Sequence, residues 1–211
     1  MRLTIRRASA PCRVSQFAER CRSAQREVTM RLHLVDTDAE VVAALRDAFR
    51  SFREVEVALG NILAVARNTV VSPANSYGVM DGGIDRAYLD FFGPAIQGRV
   101  QEAIGQRSEG YLPVGASLVI RTGHARIPYL LLAPTMLAPE AVTRDNCYRA
   151  MRAVLRLADS HTEVGQDIYC PGLGTGVGMV NPGEAAEEMA QAYKDWKGSP
   201  ESSATADRPR E

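Results

Sequence analysis

The chain has 211 residues, 45% of them apolar and 24% charged, and its 25 basic side chains are balanced by 25 acidic ones. A chain this long buries a substantial core as one domain with peripheral ends. The neutral balance gives no specific signal for nucleic acid or an anionic surface, and no apolar run approaches the ~20 residues that span a bilayer, so no membrane partner is expected.

The first 29 residues are arginine-rich, with no acidic residue before Glu19. They read either as a basic transit segment or as an appended extension, disordered or weakly helical; we take the second. Met30 opens a cleanly patterned domain expected over residues 30–197, and residues 198–211, rich in Ser, Pro and charge, read as a disordered tail. Within the domain, Arg31 to Asp36 is a strand, and Thr37-Asp38-Ala39-Glu40 has capping-box spacing at the start of a helix with Val41, Val42, Leu45, Ala48, Phe49 and Phe52 on one face. Val55 to Leu59 and Thr69 to Ser72 are the next strands. Arg86 to Phe92 and Ile96 to Ile104 read as helices broken at Gly93-Pro94. Ala116 to Arg121 and Tyr129 to Ala133 are strands, and Asp145 to Ala158 is a helix with an apolar stripe. Asp167 to Cys170 is the sixth strand, and Asn181-Pro182 starts a last helix as cap and first helical residue. Six strands separated by helices indicate a three-layer α/β/α domain around a mixed, mostly parallel sheet, with binding loops at the carboxyl ends of central strands.

Cys12, Cys21, Cys147 and Cys170 stand far apart, and neither they nor His33, His124 and His161 form a metal-ligand pattern. We therefore expect free thiols in a reducing, cytoplasmic setting, and neither metal nor cofactor. Two glycine-bearing loops carry the chemistry. One is SPANSYGVMDGGID, residues 72–85; the other is PGLGTGVGMVNP, residues 171–182. Each follows a strand and precedes a helix, where exposed backbone N–H groups and the helix N-terminus favour a phosphate. Two such loops on one sheet edge suit a pyrophosphate gripped from both sides; the plainer reading is that the glycines only make tight turns. A dinucleotide fingerprint belongs at a first strand, and a Walker loop ends in Gly-Lys-Ser/Thr; neither is present.

With these residues in hand, the chain resembles the macro domain family, which binds ADP-ribose. Leu59-Gly60-Asn61-Ile62 resembles its early Gly-Asp-Ile element. Val70 to Ser76 with Gly82-Gly83-Ile84-Asp85 resembles its Asn-Ala-Ala-Asn and glycine-run signature, and Gly174-Thr175-Gly176-Val177-Gly178 resembles its second phosphate loop. The resemblance implies that Asn61 and Ile62 lie by the adenine, that Asn75 holds the distal ribose, and that Gly82, Gly83 and Ile84 line the diphosphate. Gly174, Thr175, Gly176, Val177 and Gly178 close from the other side, with Met179 where the family often carries an aromatic residue. It also implies that Asp85 orients or activates water in a hydrolytic branch. Asp85 also suits the N-cap of a helix beginning near Arg86, a role compatible with the first that would hold it as a weak base. The expected function is binding of ADP-ribose and hydrolysis of an ADP-ribose linkage on a protein or metabolite, with Asn75 and Asp85 catalytic; the alternative is a non-catalytic binding module. Ser72 and Pro73 depart from the family's first Asn-Ala, and the absence of any lysine before Lys194 argues against its lysine-dependent branch.

Overall fold

The computed structural model describes residues 30–199, so the expected extension over 1–29 and the tail beyond Ser199 lie outside the described residues. In chain order the elements are β1 (Arg31–Asp36), α1 (Ala39–Ala48), β2 (Glu56–Leu59), α2 (Ile62–Val65), β3 (Thr69–Ser72), α3 (Gly83–Phe92), α4 (Ala95–Gly105), β4 (Leu118–Arg121), β5 (Tyr129–Leu132), α5 (Asp145–Ser160), β6 (Asp167–Cys170) and α6 (Pro182–Gly198). The sheet has the order β2-β1-β6-β3-β5-β4. Every pair is parallel except β4 with β5, so the sheet is mixed and mostly parallel, as the sequence indicates.

Because strand side chains alternate between faces, successive apolar residues feed two cores. Leu32, Leu34, Val71, Leu131 and Ile168 pack under α1, α5 and α6. Val35, Val70, Leu130, Leu132 and Tyr169 pack under α2, α3 and α4. β3 is buried along its whole length, its polar ends Thr69 and Ser72 included, as an inner strand covered on both faces. On α5, Cys147, Ala150, Met151, Val154, Leu155 and Ala158 form the buried stripe, at the spacing that keeps one face of a helix inward. Tyr193 is buried against Phe49 and Phe52, and Trp196 donates to Asp159, so both aromatics of the last helix belong to the core and its rim.

Two helix starts differ from the sequence reading. α1 is capped by Asp38, one residue later than the Thr37 spacing implies, through bonds from the Glu40 and Val41 N–H groups. α3 opens at Gly83, three residues before Arg86, with Gly82 as its cap. At the start of α6 the expectation holds: the Asn181 side chain accepts from Gly183 N–H, and Pro182 is the first helical residue.

Candidate functional site

β6 and β3 are neighbours at the centre of the sheet, and the two glycine loops leave their carboxyl ends side by side. This is where an open α/β sheet leaves a crevice. Here the crevice is a cleft of about 530 Å³, a size typical of a small-molecule site.

The second loop answers why the sequence is so bare. A Cβ on Gly172 would lie 2.5 Å from Val41 Cγ1, and one on Gly178 would lie 2.6 Å from the Gly174 carbonyl oxygen. Gly174 has a φ of +76°, and a Cβ there would meet Cys147 Sγ at 2.7 Å. Those three glycines let the loop fold onto itself and onto α1 and α5. Gly176 is different, because nothing lies within 4 Å of its Cβ direction. The curl is held by Val180 N–H donating to Gly174 O and Met179 N–H to Gly176 O, both at 3.0 Å. Gly172 N–H donates to Asp36 Oδ2 at 3.0 Å, tying the loop to the end of β1. Among the described residues, the N–H groups of Thr175, Gly176, Val177 and Gly178 have no protein acceptor.

The first loop is pinned by Asn75. Its Oδ1 accepts from Tyr77 N–H at 3.1 Å and Val79 N–H at 3.2 Å, and its Nδ2 donates to Val79 O at 2.7 Å. Asn75 also bridges to Met136 beyond β5. The loop then enters α3, whose first N–H groups at Gly83, Ile84 and Asp85 have no protein acceptor among the described residues. The two loops nearly touch: a Cβ on Gly83 would lie 4.0 Å from Val177 Cγ2.

Asp85 corrects the sequence reading. It sits within the first turn of α3, not at its cap, and no backbone N–H holds it. Its Oδ1 accepts from the Ser72 hydroxyl at 2.5 Å, and the residue is 7% exposed while lining the cleft. Burial pushes its pKa from the ordinary 3.8 up to about 6, against the lowering effect of the Ser72 hydrogen bond. A carboxylate with that affinity for a proton is a stronger base than an ordinary aspartate, the reverse of what helix capping would produce.

Of the residues singled out from sequence, Asn61, Ile62, Asn75, Gly82, Gly83, Ile84, Asp85, Gly174, Thr175, Gly176, Val177 and Gly178 all line the cleft. Asn61 caps α2, its amide oxygen accepting from Leu63 N–H at 2.9 Å. Met179 lies outside the lining, 78% exposed and with a left-handed φ of 55°. His124 does not line the cleft: it packs against Phe91 and Phe92, and its Nδ1 accepts from Arg126 and Ile127 N–H. The sequence reading missed Asp36, Thr37 and Asp38 at and beyond the end of β1, and Thr135, Met136 and Pro139 after β5. Their signal was present, since each group follows the carboxyl end of an inner strand.

Comparison with known proteins agrees with this architecture. The macro domain family model matches residues 71–189, more than half of the chain. An uncharacterized protein of Aquifex aeolicus is 32% identical over 145 residues, covering 68% of this chain and 83% of its own length. The macrodomain of Mycobacterium tuberculosis DarG superposes with a TM-score of 0.57 at 18% identity, covering 65% of this chain and 88% of that one. Thermosipho africanus DarTG, solved in complex with ADP-ribose, superposes with a TM-score of 0.54 at 16% identity, covering 76% of this chain and 49% of that one. With a family model matched over more than half of its length, on a six-stranded mixed sheet, the chain belongs to the macro domains.

Proposed function

We propose that the cleft binds ADP-ribose and hydrolyses an ADP-ribose linkage, on a protein or a small metabolite, by attack of water at C1″ of the distal ribose. The observation that carries this reading is the pair of opposed backbone donor sets, at residues 83–85 and 175–178, with the buried Asp85 carboxylate beside them. Backbone N–H groups at a helix N-terminus and in a curled loop grip a diphosphate without requiring a cation. A macrodomain of Oceanobacillus iheyensis solved with ADPR supports the same ligand class for this fold. Gly82, Gly83 and Ile84 take one side of the diphosphate and Gly174 to Gly178 the other. Asn61 and Ile62 face the base, and Met179 stands at the rim towards the distal ribose. Because the Asn61 oxygen caps α2 and carries no charge, its grip on the adenine amino group is weaker than a carboxylate's.

In the reaction the C1″–acceptor bond breaks and a C1″–oxygen bond to water forms. Asp85 orients the water and accepts its proton, and the departing acceptor takes up a proton. Rate comes chiefly from fixed geometry and from a base whose proton affinity burial has raised. One observation favours the second reading, a binding module without turnover: Asn75 spends its amide oxygen and one N–H on its own loop, leaving one N–H for the sugar. The deciding assay is release of ADP-ribose from an ADP-ribosylated protein. Hydrolysis predicts release that falls at least a hundredfold in Asp85→Ala; absence of release despite ADP-ribose binding selects the module.

A further inference from the structure

Ser72 ends β3 directly beneath the cleft, is fully buried, and does not itself line the cavity. Among the described residues its hydroxyl is the one side-chain donor to Asp85, and it engages Oδ1 alone. Asp85 Oδ2 has no protein partner among the described residues, although the residue lines the cleft. A hydroxyl that fixes one carboxylate oxygen fixes the rotation of the whole group and so the direction of the other. We infer that Ser72 is a positioning residue for Asp85: its hydrogen bond aims Oδ2 at the cleft and sets how readily that oxygen gives up and takes up a proton.

The surroundings leave few other groups for this task. Tyr88, one turn along α3, donates its hydroxyl to Val71 O at 2.9 Å and not to Asp85. Arg86 is turned outward to Asp90 at 3.0 Å. Asp36 from β1 and Cys170 from β6 bear on the neighbouring Tyr88, and Asp38, the cap of α1, lines the cleft as an exposed residue. Asp36 accepts from Asp38 and Gly172 N–H, and Cys170 directs its Sγ to Pro171 O. Asp81, before α3, lines the cleft as an exposed residue. Among the described residues no cation is drawn to Asp85, and the proton affinity of its carboxyl reflects burial opposed by this hydroxyl.

The inference rests on the hydrolytic reading for its purpose, but its test does not need turnover. The Asp85 side-chain carboxyl carbon is followed by NMR through a pH titration of the full chain, in wild type, Ser72→Ala and Ser72→Thr. A hydrogen bond to an ionised group favours that form enough to displace its titration by about one pH unit or more. The wild-type midpoint is expected near 6, raised by about one pH unit in Ser72→Ala and restored towards wild type in Ser72→Thr, which keeps the hydroxyl. If hydrolysis is present, the acid limb of its pH profile moves upward in Ser72→Ala by the same amount. An Asp85 midpoint unchanged or lowered in Ser72→Ala overturns the inference, as does a rate loss with no displacement of the profile. If ADP-ribose release is absent from every variant, the hydrolytic reading fails while the titration still decides the role of Ser72.

Discussion

Replacing Asp85 by asparagine removes a buried charge while keeping the size of the side chain and an oxygen for the Ser72 hydroxyl. In the folded chain burial raises the Asp85 pKa from 3.8 to about 6, so the native state holds this proton more tightly than the unfolded state does. The contribution to stability is therefore fully present below pH 3.8 and is lost as pH rises through about 6. At about 1.36 kcal/mol per pH unit, the ionised carboxylate penalises the fold by about 3 kcal/mol at pH 8 and by about 1 kcal/mol at pH 4.5. Asp85→Asn should accordingly stabilise the protein at pH 8 by up to about 3 kcal/mol, an advantage about 2 kcal/mol smaller at pH 4.5. Urea unfolding at the two pH values measures this directly. The same variant should lose hydrolysis, a trade of activity for stability expected where a functional site holds an unfavourable charge. Equal stability differences at both pH values, or a variant less stable at pH 8, would refute the argument that burial raises the proton affinity of Asp85.

Other outcomes follow from the loop geometry. Gly174→Ala, at a φ of +76° and 2.7 Å from Cys147 Sγ, should destabilise the fold by about 1–3 kcal/mol in thermal melts. Gly176→Ala meets nothing within 4 Å and should leave stability within about 0.5 kcal/mol, while calorimetry shows ADP-ribose affinity at least tenfold weaker because the methyl group obstructs backbone approach. Asn75→Ala removes three hydrogen bonds within the first loop and should cost both about 1–3 kcal/mol of stability and most of the ADP-ribose affinity, read by urea unfolding and calorimetry. Burial pushes the Cys147 thiol up to about 12 and the Cys170 thiol further still, so neither should react with a thiol reagent in the native state at pH 8, and both should react after unfolding.

The sheet and the two loops were legible because their signals are local. Apolar runs bounded by Gly, Pro and Asn mark the strands, and a loop after each of two strands marks the cleft. β3 and β6 could be identified, but not their adjacency, since strand order depends on how crossovers pack and not on any single segment. The misplaced start of α3 has a specific cause. Asp85 has the side chain of a good cap, whereas the chain uses Gly82 with no side-chain bond and holds Gly83 at a φ of +55°. That early start turns Asp85 inward to Ser72, thirteen residues away in sequence, a pairing that no spacing rule predicts. Asp36 was hidden in the same way. Read as the end of a strand before a capping motif, it bonds Gly172, 136 residues later, and so joins β1 to the second loop.

The assignment of the cleft stands or falls on its ligand. Calorimetric titration of the full chain with ADP-ribose at neutral pH is the most direct measurement, with Gly176→Ala as the control for use of the second loop. The account predicts one site per chain, saturating below millimolar ligand and weakened at least tenfold in the control. No heat of binding at millimolar ADP-ribose, or binding unaffected by Gly176→Ala, would contradict it.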